Sequence, residues 1–467
     1  MNLNNMNICE ISEKLRIKET TASDILQNVY NSMDESKGNF ISLTKENAME
    51  SAKKVDESLS NGGDIPILAG IPIGVQDNIC ISGTLTTCGS KMLAEFVSPY
   101  TATAVKLIEE NGGIVVGKTN MDEFGIGYTG ESSYFKSVSN PLGDGYVAEG
   151  TVAAVASGEV AAAIGTSLLE SAANCGVVGF KPSYQTVSRY GAALAVPSME
   201  QISPVGKTVK DAAKLFVAIA GLDEKDPISL NVSADTLLDD IDSFNLSGLK
   251  IGLPKEFYNG ELDLQVKNAV CSAVDILKGK GADTFDISLS FADKLLDVYS
   301  VLSSAEFASE MYKYDGISFG YRTEKYDGID ELYEKTRGEG FGDLVKEKIL
   351  LGMYVLSSEK IDAIYNKARY MRQVIVDECN KIFDSIDVLI IPTTMKTAPK
   401  KNSGIKFYDA NMSGVLADLT GIPAITVPCG KDADGMPVGM MILSKKFNDK
   451  LVLSVANRFE NLCGFTL

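Results

Sequence analysis

The sequence predicts an α/β fold, and three observations carry that expectation. Short β-branched or apolar runs alternate with segments of helical periodicity, as where Thr101–Glu110 is followed by Ile114-Val115-Val116-Gly117. The run Asp387–Ile391 is apolar after its first residue and stops at Pro392, the pattern of a strand covered on both faces. The 467 residues contain no internal repeat, low-complexity tract or linker. One domain over 1–467 is therefore expected, with a helical segment 1–60 packed on a core 61–467.

Taken in order, residues 10–60 read as helices, because Ala48, Ala52, Val55 and Leu59 share one face among charges. Asn61-Gly62-Gly63 ends the last of them. The stretch IPILAGIPIGVQDNIC favours a strand, and Pro66 and Pro72 place it near a sheet edge or a turn. Glu149–Gly179 is small, apolar and interrupted by hydroxyls. It reads as a buried Ala-rich helix, a short strand, a loop carrying Ser171, and a strand over Val177–Phe180. Lys250–Pro254 is a strand, and Val266, Val270, Ala273 and Leu277 mark the helix after it. Residues 288–385 are mostly helical, interrupted by the turn-rich, charged segment Tyr314–Gly342. Ala424–Val427 and Pro437–Leu443 flank Asp432-Ala433-Asp434-Gly435 as a hairpin, and Asp449–Glu460 forms a last helix.

Composition then excludes several chemistries. There is no histidine, which removes Ser-His and Cys-His catalysis and imidazole metal ligation together. The eight cysteines are scattered without a CxxC pair, so neither a zinc site nor a disulfide framework is indicated. Lys and Arg total 44 against 62 Asp and Glu, a net charge of −18, which opposes direct binding to a phosphate backbone. The N-terminus lacks a basic region followed by an apolar one, and no run is long and apolar enough to span a bilayer. A cytoplasmic protein is the expectation, with no cofactor and no metal.

Long ordered segments carry a resemblance. LAGIPIGVQDNICISGTLTTCGSKML (68–93), VSPYTATAVKLIEENGGIVVGKTNMDEFGIG (97–127), CGVVGFKPSYQTVSRYGA (175–192) and GIPAITVPCGKDADGMPVGMMIL (421–443) resemble the amidase signature family. Within it they resemble the branch that supplies the A-type, amide-cleaving component of tRNA-dependent amidotransferases. The resemblance covers nearly the whole chain and implies a mixed central sheet with helices on both faces. It also implies the amidotransferase B and C subunits as partners. The family's chemistry uses a Ser–Ser–Lys triad: a Lys kept neutral by burial takes a proton through a bridging Ser, a second Ser attacks the amide carbon, and backbone N–H groups hold the oxyanion.

Measured against that pattern, this sequence departs at each part. Gln76 stands in GIPIGVQDN where the family has the Lys base, and a carboxamide cannot accept and return a proton near neutrality. The Gly- and Ser-rich loop expected after Val147 is Ala148-Glu149-Gly150-Thr151, shorter and without the bridging Ser. Ser171 falls at the nucleophile position, while Leu169 and Glu170 replace two glycines of the oxyanion loop. Thr151, Ser167, Glu170 and Asn411 are the expected remnants of the substrate pocket, Asn411 standing where an Asp would hold the substrate's amino group. Three readings follow. The first is a catalytically inactive homologue acting by binding. The second is an active amidase or glutamine-dependent amidotransferase component with a rearranged site, using Lys118 or Lys181 as base and Ser171, Ser167 or Cys175 as nucleophile. The third is a module that binds a small amide or an amino acid in the same pocket without chemistry. Lys118 is also readable as a surface or near-site ion pair with Asp122, and Cys175 as a core thiol.

Overall fold

The computed structural model describes residues 6–62, 65–232, 234, 236–259, 262–403 and 412–464. Asn411 and Gly63 lie outside the described residues. Eleven strands form one sheet: β1 (Phe40–Leu43), β2 (Pro72–Gln76), β3 (Ile114–Thr119), β4 (Ala162–Thr166), β5 (Val178–Lys181), β6 (Ile202–Gly206), β7 (Lys250–Pro254), β8 (Asp283–Ile287), β9 (Val388–Pro392), β10 (Ala424–Lys431) and β11 (Pro437–Ser444). Their spatial order is β1-β3-β2-β4-β6-β5-β10-β11-β9-β7-β8. The sheet is mixed. β2 runs parallel to β3 and β4, and β7 parallel to β8 and β9, whereas β10 and β11 form the expected antiparallel hairpin.

Both faces are covered, and the strands show why. Side chains alternate across a strand. Val388 and Ile390 join one apolar cluster, with Val152 and Phe216, while Leu389 and Ile391 join a second, with Phe307 and Val345. The first cluster is supplied by helices such as Thr103–Glu110, Val209–Ile219 and Asp449–Cys463, and the second by Leu295–Met311, Asp343–Val355 and Asn366–Ile382. Each fully buried Ile or Leu of these strands contributes about 1.5–3 kcal/mol. Together these features give the α/β fold with helices on both faces.

Three local expectations need correction. Residues 10–60 are not wholly helical: Phe40–Leu43 forms β1 and pairs with β3. β2 lies inside the sheet, between β3 and β4, and Pro72 opens it directly after a turn over residues 67–70, one of the two placements expected for these prolines, where its missing N–H is least needed. Tyr314–Gly342 contains a helix, Gly328–Gly340, built on Leu332 and Thr336 as its buried positions. Ser171 is not in a loop. It sits in the helix Leu169–Cys175, because Leu169 and Glu170 favour helix far more than glycine does.

Candidate active site and its hydrogen-bond network

Gln76 ends β2, and its side chain is fixed at both ends. Its Oε1 accepts from the Thr166 backbone N–H at 2.7 Å and from Thr166 Oγ1 at 3.2 Å. Its Nε2 donates to Glu149 Oε1 at 2.9 Å. The approach is close: a Cβ at Gly165 would come within 2.9 Å of the Gln76 amide, so any larger residue there would displace that side chain. Glu149 in turn caps the helix Gly150–Ala156, accepting from the backbone N–H of Thr151 at 3.0 Å and of Val152 at 3.3 Å. Thr151 Oγ1 reaches both Glu149 Oε1 at 2.9 Å and Thr119 Oγ1 at 2.8 Å. Asn78 Nδ2 completes the set by donating to Thr166 Oγ1 at 3.0 Å.

This network is buried, and among the described residues Glu149 pairs with no cation. Burial raises its carboxyl to about 7, opposed by the hydrogen bonds from Gln76, Thr151 and Val152. Residue pattern alone underrates Glu149. Glutamate is an uncommon N-cap, and only its position before an Ala-rich helix hints that its carboxylate is spent there.

Of the expected pocket residues, the structure therefore joins Gln76 and Thr151 in one network. Ser171 lies elsewhere: it is fully buried, and its Oγ donates to the Tyr128 carbonyl at 3.3 Å. Ser167 is exposed, with its backbone in the left-handed region at φ +56°. Glu170 is half-buried and packs so tightly on Gly414 that a Cβ there would overlap its Oε1. It is deep enough that burial, together with the Asp418 charge, raises its carboxyl to about 7.

The candidate bases are also accounted for. Lys118 does not pair with Asp122 at the surface. It is fully buried and pairs with Asp77 at 3.2 Å, its Nζ also donating to Leu85 O and Thr86 Oγ1 at 3.1 Å each. Asp122 instead accepts from the N–H groups of Thr129, Gly130 and Ser132. The reason is geometric: Lys118 lies beside Val75 in the β2–β3 register, one residue before Gln76, so its side chain meets the turn that follows β2. Lys181 Nζ donates to the Ala417 carbonyl at 3.1 Å and stands 3.8 Å from Asp418, and burial lowers its pKa. Lys401 Nζ touches Ser139 Oγ at 2.9 Å, but Ser139 belongs to the wall of a different cleft. Cys175 is fully buried, and burial raises its thiol. Lys348 is a further buried amine. It lies 5.7 Å from the Tyr299 ring and 5.6 Å from that of Phe307, and burial brings it down to about 7.

A mixed eleven-stranded sheet with these turns at one end of β2 and β4 defines the class: the chain belongs to the amidase family, whose profile matches residues 24–453. More particularly, it is 38% identical over 483 aligned positions to the A-type component of glutamyl-tRNA(Gln) amidotransferase from Lachnospira eligens, covering 99% of both chains. It is 36% identical to the second such component of Clostridium acetobutylicum, covering 98% of this chain and 99% of that one. The crystal structure of the corresponding glutamyl-tRNA(Gln) amidotransferase component from Thermotoga maritima superposes with a TM-score of 0.80 at 30% identity, over 100% of this chain and 97% of that one. The native peptide amidase of Stenotrophomonas maltophilia shares the fold, with a TM-score of 0.83 at 23% identity over 99% and 98% of the two chains. Among the described residues, no helix is long and apolar enough to cross a membrane.

Proposed function

We propose that this chain is a homologue of the A-type amidotransferase component that keeps the amidase scaffold without its hydrolytic chemistry, and that it acts by binding, with the amidotransferase B and C subunits as the candidate partners. The observation that carries this reading is the locked carboxamide of Gln76, held by Thr166 on one side and Glu149 on the other. A general base must have a free lone pair facing the proton it takes. Gln76 offers none, and Ser171 donates its proton to a backbone carbonyl. Removing triad members costs about four to six orders of magnitude in rate, and such losses are not additive.

Glu149 adds a reason why reverting one residue is not enough. A lysine at position 76 would meet the Glu149 carboxylate where the carboxamide now sits, and an adjacent carboxylate keeps an ammonium protonated. The variant Gln76→Lys is therefore expected to show no glutaminase activity. The test is ammonia release from glutamine by the purified chain and by this variant, each with and without the B and C subunits. Turnover by either, above the background of the partners alone, would refute the reading.

A further inference from the structure

The helix Ile8–Arg16 is held to the rest of the chain by a small polar junction. Asp211 serves two helices at once. Its Oδ2 accepts from the Thr208 N–H at 3.0 Å, closing the capping box of the helix Val209–Ile219, and its Oδ1 accepts from the Ile8 N–H at 2.8 Å. Lys207 Nζ donates to the Met6 carbonyl at 3.1 Å. Glu460, from the helix Asp449–Cys463, accepts from the Val209 N–H at 3.0 and 3.2 Å. Three helices thus meet through two carboxylates and one ammonium.

They are not equally anchored. Ile8–Arg16 is nine residues long and buries only Ile8, Ile11 and Leu15. Asp449–Cys463 is fifteen residues long and buries Val452, Leu453, Val455, Ala456 and Phe459. Apolar stabilisation scales with the area buried, so a conflict at the junction opens it first at the shorter helix. Water is at hand, since Asn7, Glu10, Lys207, Thr208 and Glu460 line a cleft of about 970 Å³. The shorter helix also bears on the candidate site. Leu15 lies so close to Gly70 that a Cβ there would come within 2.7 Å of it, and Gly70 ends the turn that leads into β2 and Gln76.

The charges at the junction do conflict. Burial, aided by the Asp211 charge, raises the Glu460 carboxyl to about 7. Burial lowers the Lys207 ammonium to about 8, against the attraction of Asp211 and Glu10. Burial also raises Asp211. Lys210 stands nearby but pairs with Asp242 at 2.7 Å. Asp34, Lys37, Glu159 and Cys463 complete the ionisable lining of the cleft. Once Glu460 ionises, two carboxylates crowd one helix N-terminus.

We propose that Ile8–Arg16 is a strap latched onto Val209–Ile219, and that ionisation of Glu460 loosens the latch. The strap is independent of whether the Gln76 region retains chemistry. Glu460 holds its proton more tightly with the strap closed, so its contribution is full below about pH 4.5 and is lost as pH rises through about 7. Lys207 acts the other way, because the cost of burying its charge falls as pH rises through about 8. For groups hydrated in full on opening, Glu460 multiplies the open fraction about tenfold from roughly pH 6 to pH 8, and Lys207 divides it by about two. The net rise is about fivefold.

The test is hydrogen exchange of the full chain read by mass spectrometry, with rates corrected for the intrinsic pH dependence of exchange. Opening of Ile8–Arg16 should rise about fivefold between roughly pH 6 and pH 8, while the neighbouring helix Ala22–Ser32 stays level. In Glu460→Gln, which keeps an acceptor for the Val209 N–H, the rise should disappear. A flat profile in wild type would overturn the proposal, as would the same rise in the variant or a parallel rise in Ala22–Ser32. Should Glu460→Gln fail to fold, the Val209 amide resonance of ¹⁵N-labelled wild type decides. It titrates near pH 7 in step with the exchange of Ile8–Arg16 if the proposal holds, and a resonance that stays still refutes it.

Discussion

Two buried ionisable groups sit close to neighbouring strands, and the protein treats them in opposite ways. Lys118 on β3 is charge-matched by Asp77 and further solvated by Leu85 O and Thr86 Oγ1. Glu149, bonded to Gln76 of β2, relies on an amide, a hydroxyl and two helix N–H groups in place of a cation. The first is a closed ion pair, in which an opposite charge replaces water. The second is a lone carboxyl kept by dipoles, and it answers burial by a raised pKa. The contrast is one of compensation, an opposite charge in the first case and dipoles in the second. Lys118 is fully buried, and its amine is committed to a carboxylate and three other oxygens.

The largest expected effect breaks the ion pair. Lys118→Met leaves Asp77 buried without a counter-charge and should cost about 3–5 kcal/mol in urea-monitored unfolding. A loss below about 1 kcal/mol would mean that the pair is not the closed unit described. The next effect tests the lone carboxyl through pH. Glu149 has a folded pKa of about 7, above its unfolded value, so the folded state holds its proton more tightly. Its stabilising contribution is full below the unfolded pKa near 4.5 and is lost as pH rises through about 7. Glu149→Gln should remove that slope, so that the stability difference between variant and wild type changes by about 3 kcal/mol between roughly pH 4 and pH 8. Parallel pH profiles for the two proteins would refute this assignment. The smallest effect is Thr151→Val, which deletes the hydroxyl between Thr119 and Glu149 and should cost about 1–2 kcal/mol in the same unfolding assay. A neutral result would remove Thr151 from the network.

Parts of this were legible in the residues. The buried strand ending at Pro392, the β10–β11 hairpin around Asp432–Gly435, and the helix–strand pair Thr103–Glu110 and Ile114–Thr119 follow from periodicity and turn chemistry, which are local. Gln76 was singled out by its place in the long segment 68–93. Other parts were not legible. The helix around Ser171 was not foreseen because Leu169 and Glu170 lie in a stretch rich in alanine, serine and glycine, where the local preference is weak. β1 was hidden because FISL is four residues between helices, and only its pairing to β3 makes it a strand. Distance along the chain pointed Lys118 to Asp122, four residues on, whereas its partner Asp77 lies 41 residues away and is brought to it by the pairing of β2 with β3.

The sequence by itself determined the α/β class and the family resemblance, because these rest on residue identity and on patterns a few residues long. Only the tertiary structure decided who holds whom. That Glu149 reaches Gln76 across 73 positions, that Lys118 reaches Asp77 across 41, and that Asn39 meets Glu159 across 120 are consequences of strand order and register. The physical reason is that hydrogen bonds and ion pairs act over about 3 Å, a range that chain separation does not encode and packing does.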